Sequence, residues 1–402
     1  MPTPDVAIIS PFPRLRGSSV HPSGVSGYTA RLADALSEHG VGVHVVAPRV
    51  RGERKLDRAG EVVVERRFSL GPGALLKAVR VACQTGAPVV HLQHELFLFG
   101  GPTSVPGLIP ALASLRRHRV GPVVTMHQVV DPASVDGEFT RLHRVDVPPM
   151  AAKFGLSAVQ GAVQGLSQAV VVHDPEFGRI VANAAVVQHG IDEADLGPTE
   201  AGKAAVGLDP DRLSVLCFGF LSPYKGLESA LDAAEEAGPA VELVVAGGEH
   251  PRLVGSGYGA GLRARYGSVA RFVGYLPDDE VERWFAAADV ALLAYPRPFS
   301  TSGPYAHALG YGIPILCSPQ LGACMGAAPE MVTATDRVSL AARLTRLAAD
   351  RAELASLAQL TKRLARGRSW SHVAEQHASI YEEVALANRT PGRSVRTRRS
   401  GR

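Results

Sequence analysis

The stretch of sequence that decides the fold is Leu213-Ser214-Val215-Leu216-Cys217-Phe218-Gly219-Phe220-Leu221-Ser222-Pro223-Tyr224-Lys225-Gly226. It opens with a mostly apolar run of strand length, and a glycine follows that run directly. The next residues, Leu227–Glu236, carry a helical pattern. A buried strand that ends in a glycine turn and leads into a helix is typical of a βαβ unit. The stretch therefore predicts a parallel sheet covered by helices.

The same alternation of strand-sized runs and helical patterns extends in both directions from this stretch, which predicts an α/β fold with doubly wound sheets. The predicted strands are Val6–Ser10, Val43–Ala47, Val62–Val64, Val89–Gln93, Val123–Met126, Ala169–His173, Leu213–Phe218, Glu242–Ala246, Arg271–Gly274, Val290–Ala294 and Ile315–Ser318. The predicted helices include Gly27–His39, Leu227–Glu236, Asp279–Ala287, Pro304–Leu309 and Val373–Ala387.

The length of the chain predicts more than one domain, because 402 residues exceed one ordinary core. Asp192–Asp211 is polar and lacks periodicity, so we place an interdomain linker there. We predict a first Rossmann-like domain over 1–195, a second over 196–370, a closing helix over 371–388 and a disordered basic tail over 389–402. Two such domains would bring the carboxyl ends of both sheets to one central cleft.

The formal net charge of +4 is concentrated at the end of the chain. From Arg389 onward there are six arginines and no acid, so the rest of the chain is slightly acidic. A disordered tail explains this segment, and weak peripheral contact with an anionic membrane is the alternative. The charge does not predict a specific nucleic-acid partner.

The composition predicts a globular protein of a reducing compartment. Apolar residues make up 46% and charged residues 20% of the chain. Its apolar runs are shorter than a membrane span, and the N-terminus lacks the pattern of a secretory signal. The cysteines lack metal-ligand spacing and are expected to be buried thiols, so we expect a cytoplasmic protein.

Lys225 is the first candidate functional residue. It follows the strand end at Gly219 and precedes a helix, where its ammonium group could neutralise a diphosphate leaving group. A solvated lysine in a turn is the alternative.

Two helix starts are further candidates for phosphate binding. Gly24 opens a helix after the first strand, and Ser302 with Gly303 opens a helix in the second half of the chain. Unpaired amides and the positive end of the helix dipole suit an anion there. The alternatives are a tight turn at Gly24 and simple N-capping by Ser302.

Histidines follow several strands of the first predicted sheet. His91 and His94 mark one strand end, His127 the next, and His173 and His189 occur later. Carboxyl ends of parallel strands share one sheet edge, so these side chains are expected near one ligand crevice. Their spacing fits no zinc pattern, and we predict no metal site. No G-x-S-x-G motif points to a hydrolase, and no G-x-G-x-x-G motif points to a dinucleotide enzyme.

Taken together, the motifs resemble those of the family 4 glycosyltransferases over roughly residues 5–388. The similar segments are Gly24–Tyr28, Val123–His127, His189–Asp192, Phe272–Pro277 with Ala288–Val290, and the helix containing Trp370, Ala374 and Tyr381. The resemblance implies the GT-B fold, which is two Rossmann-like domains that face a central cleft. It also implies sugar transfer from a UDP- or GDP-sugar donor with retained configuration. The sequence does not identify the acceptor, for which a sugar, a lipid-linked glycan and a small molecule are the alternatives.

The resemblance also implies roles for individual residues. Lys225 would contact the donor diphosphate, and Ser302 with Gly303 would bind the distal phosphate. The backbone of Gly274 and Leu276 would bracket the base. Gly24 would let the first domain approach the donor, and His127 would lie near the transferred sugar. The donor is a substrate, and no tightly bound cofactor or metal is implied.

This chain departs from the family pattern at three positions. Phe220 stands where the family has an arginine, and Phe299 and His307 stand where it has two glutamates. The alternatives are therefore an epimerase or hydrolase of nucleotide sugars on the same scaffold, and a non-catalytic protein that binds nucleotide sugars.

Overall fold

A computed structural model describes residues 3–16, 23–142, 146–250, 253–297 and 302–389. Among these residues the chain divides into two compact units. The first unit contains 3–190 and 370–389, and the second contains 191–297 and 302–369. The predicted domain boundaries and the roles of the two domains stay predictions. The basic tail predicted over 389–402 lies outside the described residues from 390 onward.

The first unit is built on a sheet with the strand order β3-β4-β2-β1-β5-β6-β7-β8. Its strands are β1 Val6–Ile9, β2 Val43–Pro48, β3 Leu56–Ala59, β4 Val62–Phe68, β5 Val89–His94, β6 Gly121–Met126, β7 Ala169–Val172 and β8 Ala185–Val186. Neighbouring strands are parallel except β3, which pairs antiparallel with β4. The short edge strands β3 and β8 lack a clear apolar pattern, and the sequence did not predict them.

Helices cover both faces of this sheet, so successive residues of a central strand are buried on opposite sides. In β1, Val6 and Ile8 belong to one core cluster, and Ala7 and Ile9 belong to another. The helices of this unit are α1 Gly24–Glu38, α2 Ala74–Gln84, α3 Leu108–Arg117, α4 Gly137–Leu142, α5 Pro149–Leu166, α6 Pro175–Ile180 and, from the end of the chain, α15 Trp370–Arg389.

Helix α15 packs beside α1 on the face that contains Val6 and Ile8. Two glycines make this approach close. A Cβ on Gly121 would lie 2.2 Å from a methyl group of Val384, and one on Gly190 would lie 2.5 Å from the Trp370 ring. Any larger residue at these positions would push α15 away from the sheet.

The second unit is a parallel sheet with the strand order β11-β10-β9-β12-β13. Its strands are β9 Leu213–Phe218, β10 Val241–Ala246, β11 Ala270–Gly274, β12 Val290–Leu293 and β13 Ile315–Cys317. Its helices are α7 Thr199–Val206, α8 Leu227–Ala237, α9 Tyr258–Tyr266, α10 Asp278–Ala286, α11 Gly303–Gly310, α12 Pro319–Met325, α13 Arg337–Ala349 and α14 Arg351–Ala365. Short 3-10 turns occur at Pro102–Gly107, Pro132–Ser134, Pro223–Lys225, Gly238–Ala240 and Pro329–Met331.

The segment Asp192–Asp211 contains a helix although its sequence lacks periodicity. Helix α7 packs against α10 and is held by Lys203, whose side chain is 2% exposed. The Lys203 Nζ lies 2.6 Å from the Asp289 carboxylate and donates to the carbonyl of Arg212 at 2.7 Å. A buried ion pair with a distant residue, which no local pattern reveals, therefore anchors this helix.

The parallel sheets and their helical layers confirm the α/β, doubly wound fold. The described cysteines are free thiols, and burial raises the pKa of Cys217 to about 12. No helix in the described parts of the chain is long and apolar enough to cross a bilayer.

Candidate functional site

The strand order of the second unit points to one ligand crevice. From β9 the chain moves outward to β10 and β11, and then returns to the other side of β9 as β12. Ligands of doubly wound folds bind at such a reversal, beyond the carboxyl ends of the two strands concerned. Here those ends lead into Gly219 and into Tyr295.

Lys225 lies at this reversal and is buried, with 8% of its surface exposed. Its Nζ donates a hydrogen bond to the Tyr295 hydroxyl at 2.7 Å and lies 4.6 Å from the centre of the Tyr295 ring. Among the described residues, no carboxylate lies within ion-pair distance of this amine. Burial lowers the pKa of Lys225, and the interactions with Tyr224 and Cys217 oppose that shift. Within the described part of the chain, the site therefore holds a desolvated cation without a counter-charge, which is costly unless an anion binds.

Lys203 shows what a structural buried lysine looks like in the same unit. It is buried like Lys225, but it has the carboxylate of Asp289 and two backbone carbonyls as partners. Lys225 has a hydroxyl and an aromatic face instead. The contrast favours a ligand-binding role for Lys225.

The N-terminus of α11 lies beside Lys225, and Tyr295 joins the two. The Tyr295 hydroxyl is 3.2 Å from the Ser302 Oγ, which also accepts from the Tyr305 amide at 3.3 Å. Gly303 is the first residue of α11, where an amide has no carbonyl partner within the helix. A Cβ on Gly303 would meet nothing within 4 Å. The N-capping alternative for Ser302 is correct, and it is compatible with anion binding at the same helix end.

Gly219 keeps the approach to Lys225 open. Its φ of +108° is a conformation that other residues rarely adopt. A Cβ there would stand 3.0 Å from both the Lys225 Nζ and the Pro304 Cγ. Gly219 also packs against Gly247, whose Cβ would lie 2.0 Å from the Gly219 carbonyl oxygen. Glycine is therefore required at position 219, both for its positive φ and for the space around the Lys225 amine.

Gly274 and Leu276 lie farther along the same sheet edge, after β11. Gly274 has a φ of +78°, and a Cβ on it would meet nothing within 4 Å. Leu276 is partly buried against the core of this unit. A register shift after Val245 sets Ala246 beside Gly274 at the strand end. Backbone atoms at this edge are thus open to a ligand, while their role in base binding stays a prediction.

His307, which replaces a family glutamate, packs among aromatic rings. Its ring centre is 5.6 Å from that of Phe218, 5.8 Å from that of Phe285 and 5.7 Å from that of Tyr311. A carboxylate in this position would lie against three aromatic side chains. Phe299 falls outside the described residues.

The first unit has its own reversal, between β1 and β5. Helix α1 begins at Gly24 beyond β1, and the Ser23 side chain caps it by accepting from the Ser26 amide at 3.2 Å. A Cβ on Gly24 would meet nothing within 4 Å. The predicted glycine at the start of this helix is present, with open space beside it. That space does not by itself establish a contact between Gly24 and a ligand.

His127 belongs to a buried network in the first unit. Its Nε2 lies 2.7 Å from the Gln93 side-chain oxygen, and its Nδ1 lies 3.2 Å from the His173 Nε2. The His173 Nδ1 donates to the Val187 carbonyl at 2.9 Å. The Tyr28 ring packs edge-on against His127 at 4.8 Å. Both His127 nitrogens therefore have protein partners, so a contact with a sugar requires His127 to exchange one of them.

Burial sets the protonation of this network. It lowers the pKa of His127 well below its usual value and that of His173 to about 3, and the neighbouring histidines act in the same direction. A neutral His173 that donates from Nδ1 must accept at Nε2, so His127 donates from Nδ1. The Gln93 amide must then turn its NH2 group toward the His127 Nε2. Within the described ranges, no group of three or more potential ligands could hold a metal ion.

The structure thus brings Lys225, Ser302 and Gly303 together and leaves Gly274 and Leu276 farther along the same sheet edge. It places Gly24 and His127 in the first unit. The sequence did not predict a role for Tyr295, which lies just after a predicted strand. That position was the only available signal, because tyrosine alone carries no functional pattern.

Comparison with protein families gives a match over part of the chain. A family model described as "Glycosyl transferase-like" matches residues 227–379. This region begins just after Lys225 and includes α11.

Two curated relatives are similar in sequence. The D-inositol 3-phosphate glycosyltransferase of Mycolicibacterium vanbaalenii is 29% identical over 260 residues, which is 58% of this chain and about half, 54%, of that relative. The phosphatidyl-myo-inositol mannosyltransferase of Propionibacterium freudenreichii is 26% identical over 98% of both chains.

Solved structures share the fold at low sequence identity. The sucrose-phosphate synthase of Thermosynechococcus elongatus matches with a TM-score of 0.72 and 18% identity, over 95% of this chain and 99% of that one. Anabaena HepE in complex with UDP-glucose matches with a TM-score of 0.68 and 16% identity, over 94% and 99%. Given these likenesses and the parallel sheets, the chain has the GT-B fold, and its sequence is similar to those of glycosyltransferases.

Proposed function

We propose that this chain is a family 4 glycosyltransferase, and that it transfers a sugar from a UDP- or GDP-sugar to a hydroxyl group of an acceptor with retention of configuration. In this proposal the second unit binds the donor and the first unit binds the acceptor. Lys225 neutralises the diphosphate as it leaves, and the N-terminus of α11 holds the distal phosphate.

One observation carries the proposal. Lys225 is a buried cation whose described partners are a hydroxyl and aromatic faces, and it lies beside a helix N-terminus at the reversal of a parallel sheet. A diphosphate supplies the missing negative charge to both features. A neutral ligand would leave the lysine uncompensated.

The known ligands of similar structures support a nucleotide diphosphate. Anabaena HepE was solved with UDP, with UDP and glucose, and with UDP-glucose. The starch synthase IV catalytic domain of Arabidopsis thaliana was solved with ADP and acarbose. The relatives whose names include inositol support a polyol acceptor.

The nature of the base is tested by thermal unfolding of the full chain with UDP, GDP, ADP and dTDP. One nucleoside diphosphate is expected to stabilise the protein, by about 2.7 kcal/mol at a concentration one hundred times its dissociation constant. The matching nucleoside monophosphate is the control and should stabilise less, because it lacks the distal phosphate. If no diphosphate stabilises the protein, the proposed donor site is wrong.

The reaction type is tested with the matching nucleotide sugar. Release of the diphosphate together with a new glycosidic product supports transfer, and NMR of the anomeric proton tests retention. A sugar product formed equally well without an acceptor would instead support the epimerase or hydrolase alternative.

A further inference from the structure

We propose that the first unit docks on an anionic lipid bilayer through its outer face, which is the exposed side of the layer formed by α2, α3 and α5. The inference goes beyond the proposed function and does not depend on the donor site. Two observations carry it together: the charges of this layer have one sign, and large apolar side chains on it are exposed to solvent.

The three helices form one layer on one face of the first sheet. Their inner residues, among them Leu75, Leu112 and Val163, belong to the same core cluster, and α3 packs between α2 and α5. Neighbouring helices pack about 8–10 Å apart, so the exposed residues of all three helices share one surface about 20 Å wide.

The charges that these helices carry are all positive. Their charged side chains are Lys77, Arg80, Arg116, Arg117 and Lys153, all of which are exposed. The sequences of α2, α3 and α5 contain no aspartate or glutamate. The outer face is therefore cationic.

The helices on the opposite face of the same sheet have the reverse charge. Helices α1 and α15 pack together there. Their carboxylates outnumber their lysine and arginine side chains, with Asp34, Glu38, Glu375, Glu382 and Glu383 against Arg31 and Arg389. The sheet thus separates a basic surface from an acidic one, so a negatively charged surface attracts the unit on the side of α2, α3 and α5 only.

Large apolar side chains lie among the cations of the outer face. Phe154 and Met150 of α5 are 78% and 76% exposed, and Leu76 of α2 and Ile109 of α3 are exposed as well. Phe154 and Met150 are one helical turn apart, so they project from the same side of α5. Single exposed apolar residues are ordinary, but a group of them on one surface indicates an interaction site.

These apolar residues also lie at the same end of the layer. Helices α2, α3 and α5 each connect parallel strands, so all three run in the same direction and begin at the carboxyl edge of the sheet. Leu76, Ile109, Met150 and Phe154 belong to the first or second turn of their helices. They therefore form one apolar patch beside the carboxyl edge.

The acidic segment that precedes α5 packs against another side of this helix. Asp131 and Asp136 in that segment accept hydrogen bonds from backbone amides of their own turns, at 2.8 Å each. The segment packs against Ala152 and Leu156. Both residues lie about 200° around the helix from Phe154, because successive residues of a helix are about 100° apart. The apolar side of α5 therefore points away from this segment.

The combination of charge and apolar surface selects the partner. Helices that bind at a membrane interface insert apolar side chains toward the lipid tails and place lysine and arginine at the headgroups. A nucleic acid would attract the cations, but it offers no apolar phase for Phe154 and Met150. A second copy of the same face would oppose its own positive charge. An anionic bilayer satisfies both the charge and the apolar patch.

The test measures binding of the full chain to large unilamellar vesicles by flotation. The vesicles contain phosphatidylcholine with about 30% phosphatidylglycerol, and vesicles of phosphatidylcholine alone are the neutral comparison. The unchanged protein should bind the anionic vesicles at about 0.1 M salt and bind much less at about 1 M salt, where the Debye length falls to about 3 Å. It should bind the neutral vesicles about 10-fold more weakly, or less.

The apolar contribution is tested with the double variant Met150→Ser/Phe154→Ser. Its partition coefficient for anionic vesicles should fall about 10-fold or more, because two large side chains no longer enter the lipid. The matched control is Val254→Ser/Val338→Ser in the second unit, where the two valines are 70% and 69% exposed. This control should bind like the unchanged protein.

The charge contribution is tested with the triple variant Lys77→Gln/Arg80→Gln/Arg117→Gln. Its partition coefficient should fall about 100-fold, because each cation near an anionic surface contributes a factor of about five. The matched control, which should bind normally, replaces three exposed cations of the second unit: Lys362→Gln/Arg363→Gln/Arg366→Gln. Thermal unfolding of every variant should match that of the unchanged protein. Should the serine variant melt at a lower temperature, the glutamine variant decides.

Several results would overturn the inference. One is no binding of the unchanged protein to anionic vesicles. Another is normal binding by both variants of the outer face, which would assign any membrane contact to the arginine-rich segment after Arg389. Equal losses in the control variants would indicate binding without a preferred face. A dimer in sedimentation velocity that Met150→Ser/Phe154→Ser dissociates would assign the patch to a second copy of the chain.

Discussion

Replacing Lys225 with methionine is the sharpest test of the donor site, because it should barely change stability and should strongly weaken nucleotide binding. Methionine nearly fills the lysine volume and removes the charge. In the nucleotide-free protein, the substitution removes one hydrogen bond to Tyr295 and also a buried cation that lacks a described carboxylate partner. The lost bond is worth about 1 kcal/mol, and the relieved desolvation offsets it. We therefore expect the free energy of unfolding to change by less than about 1 kcal/mol.

Nucleotide binding, in contrast, should weaken strongly. A charge-assisted hydrogen bond from the Lys225 Nζ to a phosphate contributes about 1.5–3 kcal/mol. The dissociation constant for the diphosphate should therefore rise about 10- to 150-fold in Lys225→Met. Isothermal titration calorimetry measures this constant, and urea unfolding without nucleotide measures stability.

Two controls separate the explanations. Lys77→Met, at an exposed position in the first unit, should change neither quantity. Lys203→Met should lower the free energy of unfolding by about 3 kcal/mol, because it leaves Asp289 buried without its closest cation. Unchanged diphosphate affinity in Lys225→Met, or a stability loss like that of Lys203→Met, would refute the reasoning.

Four further experiments test other parts of the structure. Gly219→Ala is expected to weaken diphosphate binding about 10-fold and to destabilise the fold by about 1–3 kcal/mol. The reason is that φ at this position is +108° and the new methyl group would stand 3.0 Å from the Lys225 Nζ. Calorimetry and urea unfolding check this, and wild-type values for both would contradict it. His127→Ala should impair sugar transfer and leave diphosphate affinity unchanged, since its contacts lie in the first unit; equal loss of both would indicate a structural role. Burial lowers the pKa of His94 and His377 to about 4 and that of His173 to about 3, so between these values and about 6.5 the unfolded chain binds more protons than the folded one. The contribution of these histidines to stability is therefore complete above about pH 6.5 and should be lost progressively as the pH drops toward about 4. Urea unfolding across this range checks this, and a flat profile would contradict it. Because burial also lowers the pKa of Lys225, diphosphate affinity should decline on the alkaline side before pH 10.5, and Lys225→Met should lack that decline.

Local patterns determined much of the fold before any tertiary contact was known. The run Leu213–Phe218 is a strand, and the glycine after it turns the chain toward α8. Ser302 caps α11 as its position before the helical pattern predicted. Strand alternation, glycine turns and helix caps depend on residues that are close in sequence, so a single chain reveals them.

The site depended on contacts that no local pattern encodes. Tyr295 joins Lys225 to Ser302 because β12 lies beside β9, and strand order is set by packing of the whole sheet. The pairing of Lys203 with Asp289, across 86 positions by their numbering, has the same origin. The sequence by itself determined which residues could carry charge or expose backbone. Only the tertiary structure decided which of them are buried, which are paired and which retain an unsatisfied group for a ligand, because burial and pairing arise when distant strands meet.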